Sequence, residues 1–546
     1  MNQLFRFSIF KTVCVVLLCI AGFTTSRAQS SGVQPTPVPG WNAVYYDEGT
    51  RTYSFYHENT LLYAYSILSG VTTNGGTFNE LKAYDNNVVH FLPSGFGGIS
   101  AMLGGVEVTP GSSGVSFHCL DHRFLSNDTV YAHWAMAANS EVCNYVYKFK
   151  IVGRTLVIRI ETDSVNSNSN IATAVDLDMC RQASGASPIA IPYLSMFSLL
   201  YTNDLFVSMF ADWEITNASK LFPLDPIYDT TNGTWAYYAH NILYNPKTDG
   251  KRNRVQETLY LTTATNLEDV LPNIPNPPSP MKDVSANQIV WDYRQPFARL
   301  IRTPWRHIDS VWNLGVSNIW LQIHDWQNDH SSTPAYLNGY DDGLPCVLPA
   351  NENDIAGWEF GGASVLNTII TKARFSYEYR IGLHQNYIDY YENADCAPFG
   401  YQSTDVALSS AGSRVEAWYN KLTHTQSYVL KPSRAAAYAN YWSIQIQNSH
   451  HINGCYLDVH SAVNPSDRID YHASVTQAGK FRETLQKYRE LFPILRQNHG
   501  GPVQGEGNFH FLHIGYADDV EARLNVPTNQ FCGYYMPLLS NYKVNK

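Results

Sequence analysis

Charge is scarce in this sequence. Only 15% of its 546 residues are Asp, Glu, Lys or Arg, and the balance is acidic, at −10. Such a chain is a poor candidate for nucleic acid binding, which depends on basic patches. Past the N-terminus no apolar run is long enough to span a bilayer, so no membrane span is expected. Cysteine is sparse as well. Outside the first 28 residues there are seven, Cys119, Cys143, Cys180, Cys346, Cys396, Cys455 and Cys532. None forms a C-x-x-C knuckle, and an odd number leaves at least one unpaired; Cys119 and Cys143 are the local pair that the spacing allows. Tandem repeats and low-complexity tracts are also missing.

What the chain has in quantity is aromatic residues: 12 Trp, 37 Tyr and 24 Phe. Aromatic faces fill β cores, and they also stack on the apolar faces of sugars. An acidic, weakly charged, aromatic-rich protein suits a neutral polar ligand such as a glycan. The N-terminus "MNQLFRFSIFKTVCVVLLCIAGFTTSRAQS" has a basic start at Arg6 and Lys11, an apolar run from Val13 to Phe23, and small residues before Ala28. That is the layout of a signal peptide cleaved near Ala28, which implies a secreted, periplasmic or cell-surface protein.

The rest of the chain reads in two styles. From about Trp41 to residue 270, runs such as "RTYSFYHENTLLYAYSIL" and "VCNYVYKFKIVGRTLVIRIET" alternate aromatic or β-branched residues with polar ones. Period-2 alternation broken by Gly, Asn and Ser predicts a large β-sandwich over 41–270. "LPNIPNPPSP", 271–280, holds five prolines in ten positions and reads as a stiff linker. Beyond it, strand-like and helix-like segments alternate. "NIWLQIHDW", "SYEYRIGLHQN", "GCYLDVHS" and "GGPVQGEG" read as strands. "ASVLNTIITKARF", "PSRAAAYANYWSIQIQNS" and "TQAGKFRETLQKYRELFPILRQN" read as helices, the last amphipathic with Phe481, Leu485, Tyr488 and Phe492 near one face. This alternation predicts parallel βαβ units and a (β/α) TIM-type barrel over 281–546. The fold class expected is therefore multidomain, β plus α/β.

Three of these strand ends carry carboxylates or histidines. "WLQIHDWQND" ends in His324, Asp325 and Trp326; "GCYLDVHS" presents Asp458 and His460; "GGPVQGEG" presents Gln504 and Glu506. Barrel active sites lie at the C-terminal strand ends, and burying an unpaired carboxylate costs several kcal/mol. Asp458 and Glu506 lie 48 positions apart with one long helix between them, which is one βα unit. They are expected on neighbouring strands, facing one cleft. Two carboxylates across a cleft are what glycoside hydrolysis uses. Gly505 and Gly507 flank Glu506 without side chains, which would let a bulky sugar approach and leave φ > 0 open.

The order of signal, β-sandwich, linker and barrel resembles the endo-α-N-acetylgalactosaminidase-like enzymes, glycoside hydrolase families 101 and 129 and their relatives. "YLDVHS", "GPVQGEG" and "HDWQND" carry the resemblance. It implies a retaining glycoside hydrolase acting on α-linked galactose-type or N-acetylgalactosamine-type glycans, with Asp458 as nucleophile and Glu506 as acid/base. It further implies that Asp325, Trp326, His384, His460 and Gln504 contact the sugar. Only 40 residues follow Glu506, whereas three further βα units need about 90 at roughly 30 each. The expected barrel is thus incomplete or differs in strand numbering, with "NQFCGYYMPLLSNY" as one further strand.

Other chemistries fit less well. The glycines of "HGGPVQGEGNF" match neither G-x-x-x-x-G-K-[ST] nor a G-x-G-x-x-G that opens a helix. A metal-dependent hydrolase could draw on Asp458 and His460, His510 and His513, or His324, His384 and His499, but H-E-x-x-H is absent. A glycan-binding surface protein without catalysis is the other alternative, and it would not need both carboxylates. No cofactor is expected beyond a structural calcium that the Asp341-Asp342-Gly343 turn could take. The expected partner is a glycan or glycoconjugate.

Overall fold

The computed structural model describes residues 33–71, 78, 81–85, 88–92, 97–162, 171–176, 179–181, 187–190, 198–202, 205–221, 227–230, 233–237, 242–273, 278–293, 303–324, 326, 362–392, 402–420 and 424–521. The expected signal peptide, Asp325, the Asp341-Asp342-Gly343 turn and "NQFCGYYMPLLSNY" lie outside them. Among the described residues no helix is long and apolar enough to cross a membrane.

Up to residue 264 the described residues build three sheets of nine, eight and five strands, every pair antiparallel. The alternation seen in the sequence decides which way each side chain points. In the strand Glu141–Val152, Cys143, Tyr145, Tyr147, Phe149 and Ile151 are buried while the residues between them face outward more. Their rings interlock with those of the eight-stranded sheet: Tyr65 lies 4.5 Å from Phe149, centroid to centroid. Each such ring removes on the order of 150–250 Å² from water, so one aromatic-rich core spans all three sheets.

Two details correct the sequence reading. Cys119 and Cys143 are free. Cys119 pairs in register with Trp134 and Cys143 with Met136, so the strand Thr129–Ala138 runs between them. Two inter-strand steps come to about 9.6 Å, beyond the reach of a disulfide. The proline-rich segment is also more than a linker. Pro272–Asn273 pairs antiparallel with Gln34–Pro35, and Ser279 and Met281 bond Ala517 and Asp518 at the far end of the chain.

Among the described residues the C-terminal region holds six parallel strands in sequence order, curled as half a barrel: β1 Ile289–Tyr293, β2 Ile319–Ile323, β3 Arg380–Gln385, β4 Gly454–Leu457, β5 Val503–Glu506 and β6 Asp519–Glu521. The first strand, in "NQIVWDY", was not anticipated, so "NIWLQIHDW" supplies the second. Helices Thr303–Asn313 (α1), Gly362–Ser376 (α2) and Pro432–His450 (α3) lead into β2, β3 and β4. Between β3 and α3 a three-stranded antiparallel sheet is inserted, formed by Asp389–Tyr391, Glu416–Asn420 and Thr425–Val429.

The expected single amphipathic helix is two: Phe481–Arg489 (α4) and Leu491–His499 (α5). Pro493 explains the break. It has no N–H, and its ring meets the carbonyl four residues earlier, that of Arg489. The apolar face is as read, with Phe481, Leu485, Tyr488 and Phe492 all buried. Phe481 and Leu485 enter the core of the antiparallel sheets, so the two regions share apolar packing. Across the same junction Arg489 forms a two-pronged pair with Glu214, at 2.7 and 2.6 Å.

Candidate active site

Register decides which side chains meet at the C-terminal edge of the half-barrel. In parallel neighbours, paired residues point to the same face, and so do residues two positions on. His384 pairs with Tyr456, Tyr456 with Gln504, and Gln504 with Asp519. Two positions further stand Asp458, Glu506 and Glu521, and Glu506 is directly paired with Glu521. Three carboxylates therefore occupy one row above a row of polar and aromatic groups.

The lower row is a floor of rings. His384 stacks on Tyr456 with centroids 5.3 Å apart, and His324 meets both, at 5.0 and 4.6 Å. His384 Nε2 lies 3.3 Å from Asp458 Oδ2. His324 Nε2 reaches Asp292, near the end of β1. Tyr456 OH donates to Glu521 Oε2 at 2.5 Å. Burial pushes the Tyr456 hydroxyl far above the ordinary phenol range, and the nearby Asp458 and Glu506 carboxylates push the same way. The phenol thus stays a proton donor.

Behind Asp458 the chain turns sharply. Val459 has φ 66, a left-handed conformation that costs a β-branched residue dearly. That turn aims the Val459 N–H at Glu506 Oε2, 3.0 Å away, and brings the Ser461 hydroxyl within 2.7 Å of the Glu506 carbonyl. Gly505 is required here for a different reason from the expected one. Its backbone is not among the left-handed residues, but a Cβ on it would stand 2.3 Å from Ser461 Oγ. The left-handed glycine of the stretch is Gly500 (φ 64), which ends α5.

The expected sugar contacts fall into distinct places. His384 and Gln504 line the floor. Gln504 donates to Asp519 at 3.4 Å, and its Oε1 is buried with no partner among the described residues. His460 is fully buried behind Asp458: its Nδ1 lies 2.7 Å from the Asp458 carbonyl and its ring meets the Tyr488 ring at 4.9 Å. Burial lowers its pKa to about 4, so it is neutral. Trp326 is a core residue whose indole N–H bonds the His384 carbonyl at 2.7 Å. His460 thus packs behind Asp458, and Trp326 behind His384.

Sequence reading missed Asp292, Tyr456, Glu521 and Asp389. Asp389 is buried and accepts bonds from Asn386 Nδ2 (2.8 Å), Ser427 Oγ (2.7 Å) and the Trp418 N–H (3.1 Å). Burial raises its pKa, and Asp458 nearby adds to the rise. The "NYID" run could have signalled it, since Asn386 and Asp389 close a turn. Of the histidines and carboxylates set out as metal ligands, His324, His384 and Asp458 lie close together, but among the described residues no group of three or more His, Cys, Asp or Glu is placed to hold an ion.

Comparison with known proteins identifies the fold. The chain matches no protein-family profile and no curated protein sequence. Among solved structures it is similar to the α-N-acetylgalactosaminidase NagBb from Bifidobacterium bifidum. In its complex with Gal-NHAc-DNJ the TM-score is 0.54 at 13% identity, covering 89% of this chain and 77% of that one. The GalNAc complex of the same protein gives 0.53 at 13% identity over 89% and 78%. At such identity the likeness is one of fold, and it extends over both the antiparallel sheets and the half-barrel.

Proposed function

We propose that this chain is a retaining α-glycosidase with Asp458 as nucleophile and Glu506 as acid/base, on a β-sandwich and (β/α) barrel scaffold. The observation that carries the reading is the placement of Asp458 and Glu506 at the C-terminal ends of adjacent parallel strands, on one row. Neighbouring strands lie about 4.8 Å apart, which puts paired carboxyls near the roughly 5 Å that retention uses. In the first step Glu506 gives its proton to the glycosidic oxygen while Asp458 attacks the anomeric carbon. The C–O bond to the leaving group breaks as the ester to Asp458 forms. Glu506, now ionised, takes a proton from water, which attacks the same carbon and frees Asp458. His384 holds Oδ2 of the nucleophile and so selects which oxygen attacks.

The fold likeness to NagBb supports an α-linked N-acetylgalactosamine or galactose as the sugar, and the N-terminal sequence supports export to where such glycans occur. The test is a panel of aryl α- and β-glycosides. Turnover of an α-galactosaminide or α-galactoside with net retention by NMR is expected, and Asp458→Asn should abolish it. Glycan binding with no turnover by the wild-type protein would establish the non-catalytic reading instead.

A further inference from the structure

Resting on the assignment of Asp458 and Glu506, we propose that His460 is a positioning residue: it orients the Asp458–Val459 peptide plane, and with it the backbone N–H that Glu506 accepts. That plane carries two hydrogen-bonding groups. Its N–H, on Val459, points at Glu506 Oε2, 3.0 Å away. Its C=O, on Asp458, points the opposite way, because a trans peptide is flat and holds the two groups antiparallel. Whatever fixes the carbonyl therefore fixes the N–H.

The carbonyl is held twice by one residue. The His460 backbone N–H donates to it at 2.7 Å, which closes a three-residue turn around Val459 at φ 66. This left-handed form of the γ-turn is strained, and it persists only where its surroundings over-determine it. The second bond comes from the ring, whose Nδ1 lies 2.7 Å from the same oxygen. A carbonyl oxygen only accepts, so the single proton of the neutral ring sits on Nδ1. The ring cannot swing to release it. It is fully buried, meets the Tyr488 ring of α4 edge-on at 4.9 Å, and lies 6.4 Å from the Tyr387 ring just past β3. On the other side of Asp458, its own N–H donates to the Gln385 carbonyl at the end of β3, at 2.9 Å. The packing of α4 and β3 is thus passed through one imidazole to a peptide that joins both carboxylates. A phenyl ring at 460 would fill similar space and leave the carbonyl with the backbone bond alone.

The experiment pairs NMR with kinetics on the full chain, labelled with 15N-histidine and 15N-valine. The ring resonance lost in His460→Asn should show the Nδ1–H tautomer. The Val459 amide, identified by its loss in Val459→Gly, should exchange with solvent about tenfold faster in His460→Phe, the factor that one ordinary hydrogen bond supports. On an activated aryl glycoside, kcat of His460→Phe should fall on the order of 10²-fold with KM changed less than about threefold, as misplaced reacting groups predict. His460→Asn, whose side-chain N–H stands near the place of Nδ1, should restore most of both. An Nε2–H tautomer or an unmoved Val459 exchange rate overturns the proposal. So does a rise in KM with kcat kept, which would make His460 a sugar contact. So does a lower Tm in both variants with kcat unchanged, which would make its role merely structural. Should His460→Phe fail to fold, the tautomer and the Val459 exchange rate in His460→Asn decide, and a bond lost there overturns it equally. Because the NMR readings need no substrate, absence of turnover by the wild-type protein would fail the glycosidase assignment alone.

Discussion

The backbone N–H of Val459, the residue after Asp458, donates to the side chain of Glu506 at 3.0 Å. One strand end thus fixes the two carboxylates relative to each other, and it does so through a valine at φ 66. A left-handed β-branched residue costs on the order of 1–2 kcal/mol. Val459→Gly keeps the N–H and removes that cost, against the extra chain entropy of glycine of about 0.4–1 kcal/mol. Urea unfolding should therefore show a variant as stable as the parent, or more so by up to about 1 kcal/mol. Its kcat should fall, because the loop is free to leave the conformation that orients Glu506.

Glu506→Ala and Asp458→Ala should differ in a diagnostic way. Loss of the acid costs about 10²–10⁴-fold on poor leaving groups and little on activated ones. Azide, entering where the acid/base stood, should restore turnover and yield a glycosyl azide in Glu506→Ala. Asp458→Ala should give no turnover with either substrate. Equal losses across leaving groups would assign Glu506 another role.

Gly505→Ala tests the packing behind the acid/base strand. The new methyl would lie 2.3 Å from Ser461 Oγ, which bonds the Glu506 carbonyl. Overpacking of this kind costs about 1–3 kcal/mol, read as a lower Tm and urea midpoint. The Ser461→Ala, Gly505→Ala double variant should recover part of that loss, since the clash and the hydroxyl leave together.

How much of this was legible follows from which interactions are local. Period-2 alternation made Tyr145, Tyr147 and Phe149 readable as core, because a strand shows its two faces directly in sequence. The placement of Asp458 and Glu506 at neighbouring strand ends was readable, because each carboxylate closes a short strand and one long helical segment separates them. Glu521 was not: the register with Glu506 and the bond from Tyr456 exist only once three strands are side by side. The packing of Trp326 against the His384 carbonyl and of His460 against Tyr488 was not legible, because strand-end position does not tell whether a side chain faces the cleft or the packed helices behind it. The break at Glu490 was legible in Pro493, whose ring forbids the continuous helix.

The junction between the regions should be strongly coupled. Glu214 and Arg489 are both buried and doubly bonded to each other. Removing one partner leaves an uncompensated buried charge, at about 3–5 kcal/mol, whereas removing both costs much less. Glu214→Gln and Arg489→Met singly, and then together, should give a non-additive cycle in urea unfolding, with the double variant more stable than the weaker single one.

Stability should also depend on pH through Glu257, which is fully buried among the antiparallel strands. Its Oε1 accepts from Thr216 Oγ1 at 2.8 Å, the Asn217 N–H at 3.3 Å and Tyr244 OH, while Oε2 is buried without a partner among the described residues. Burial raises its pKa to about 7. The unfolded carboxyl ionises near pH 4.3. Between those values the unfolded state sheds a proton that the folded state keeps, so the contribution is fully present below about pH 4.3 and is lost as pH rises through 7. Wild-type unfolding free energy should therefore carry a downward component from pH 4.3 to 7, worth roughly 4 kcal/mol at its limit. Glu257→Gln cannot ionise, so it should lose that slope and gain on the wild type above pH 7. Parallel pH profiles for the two proteins would rule out Glu257 as the source.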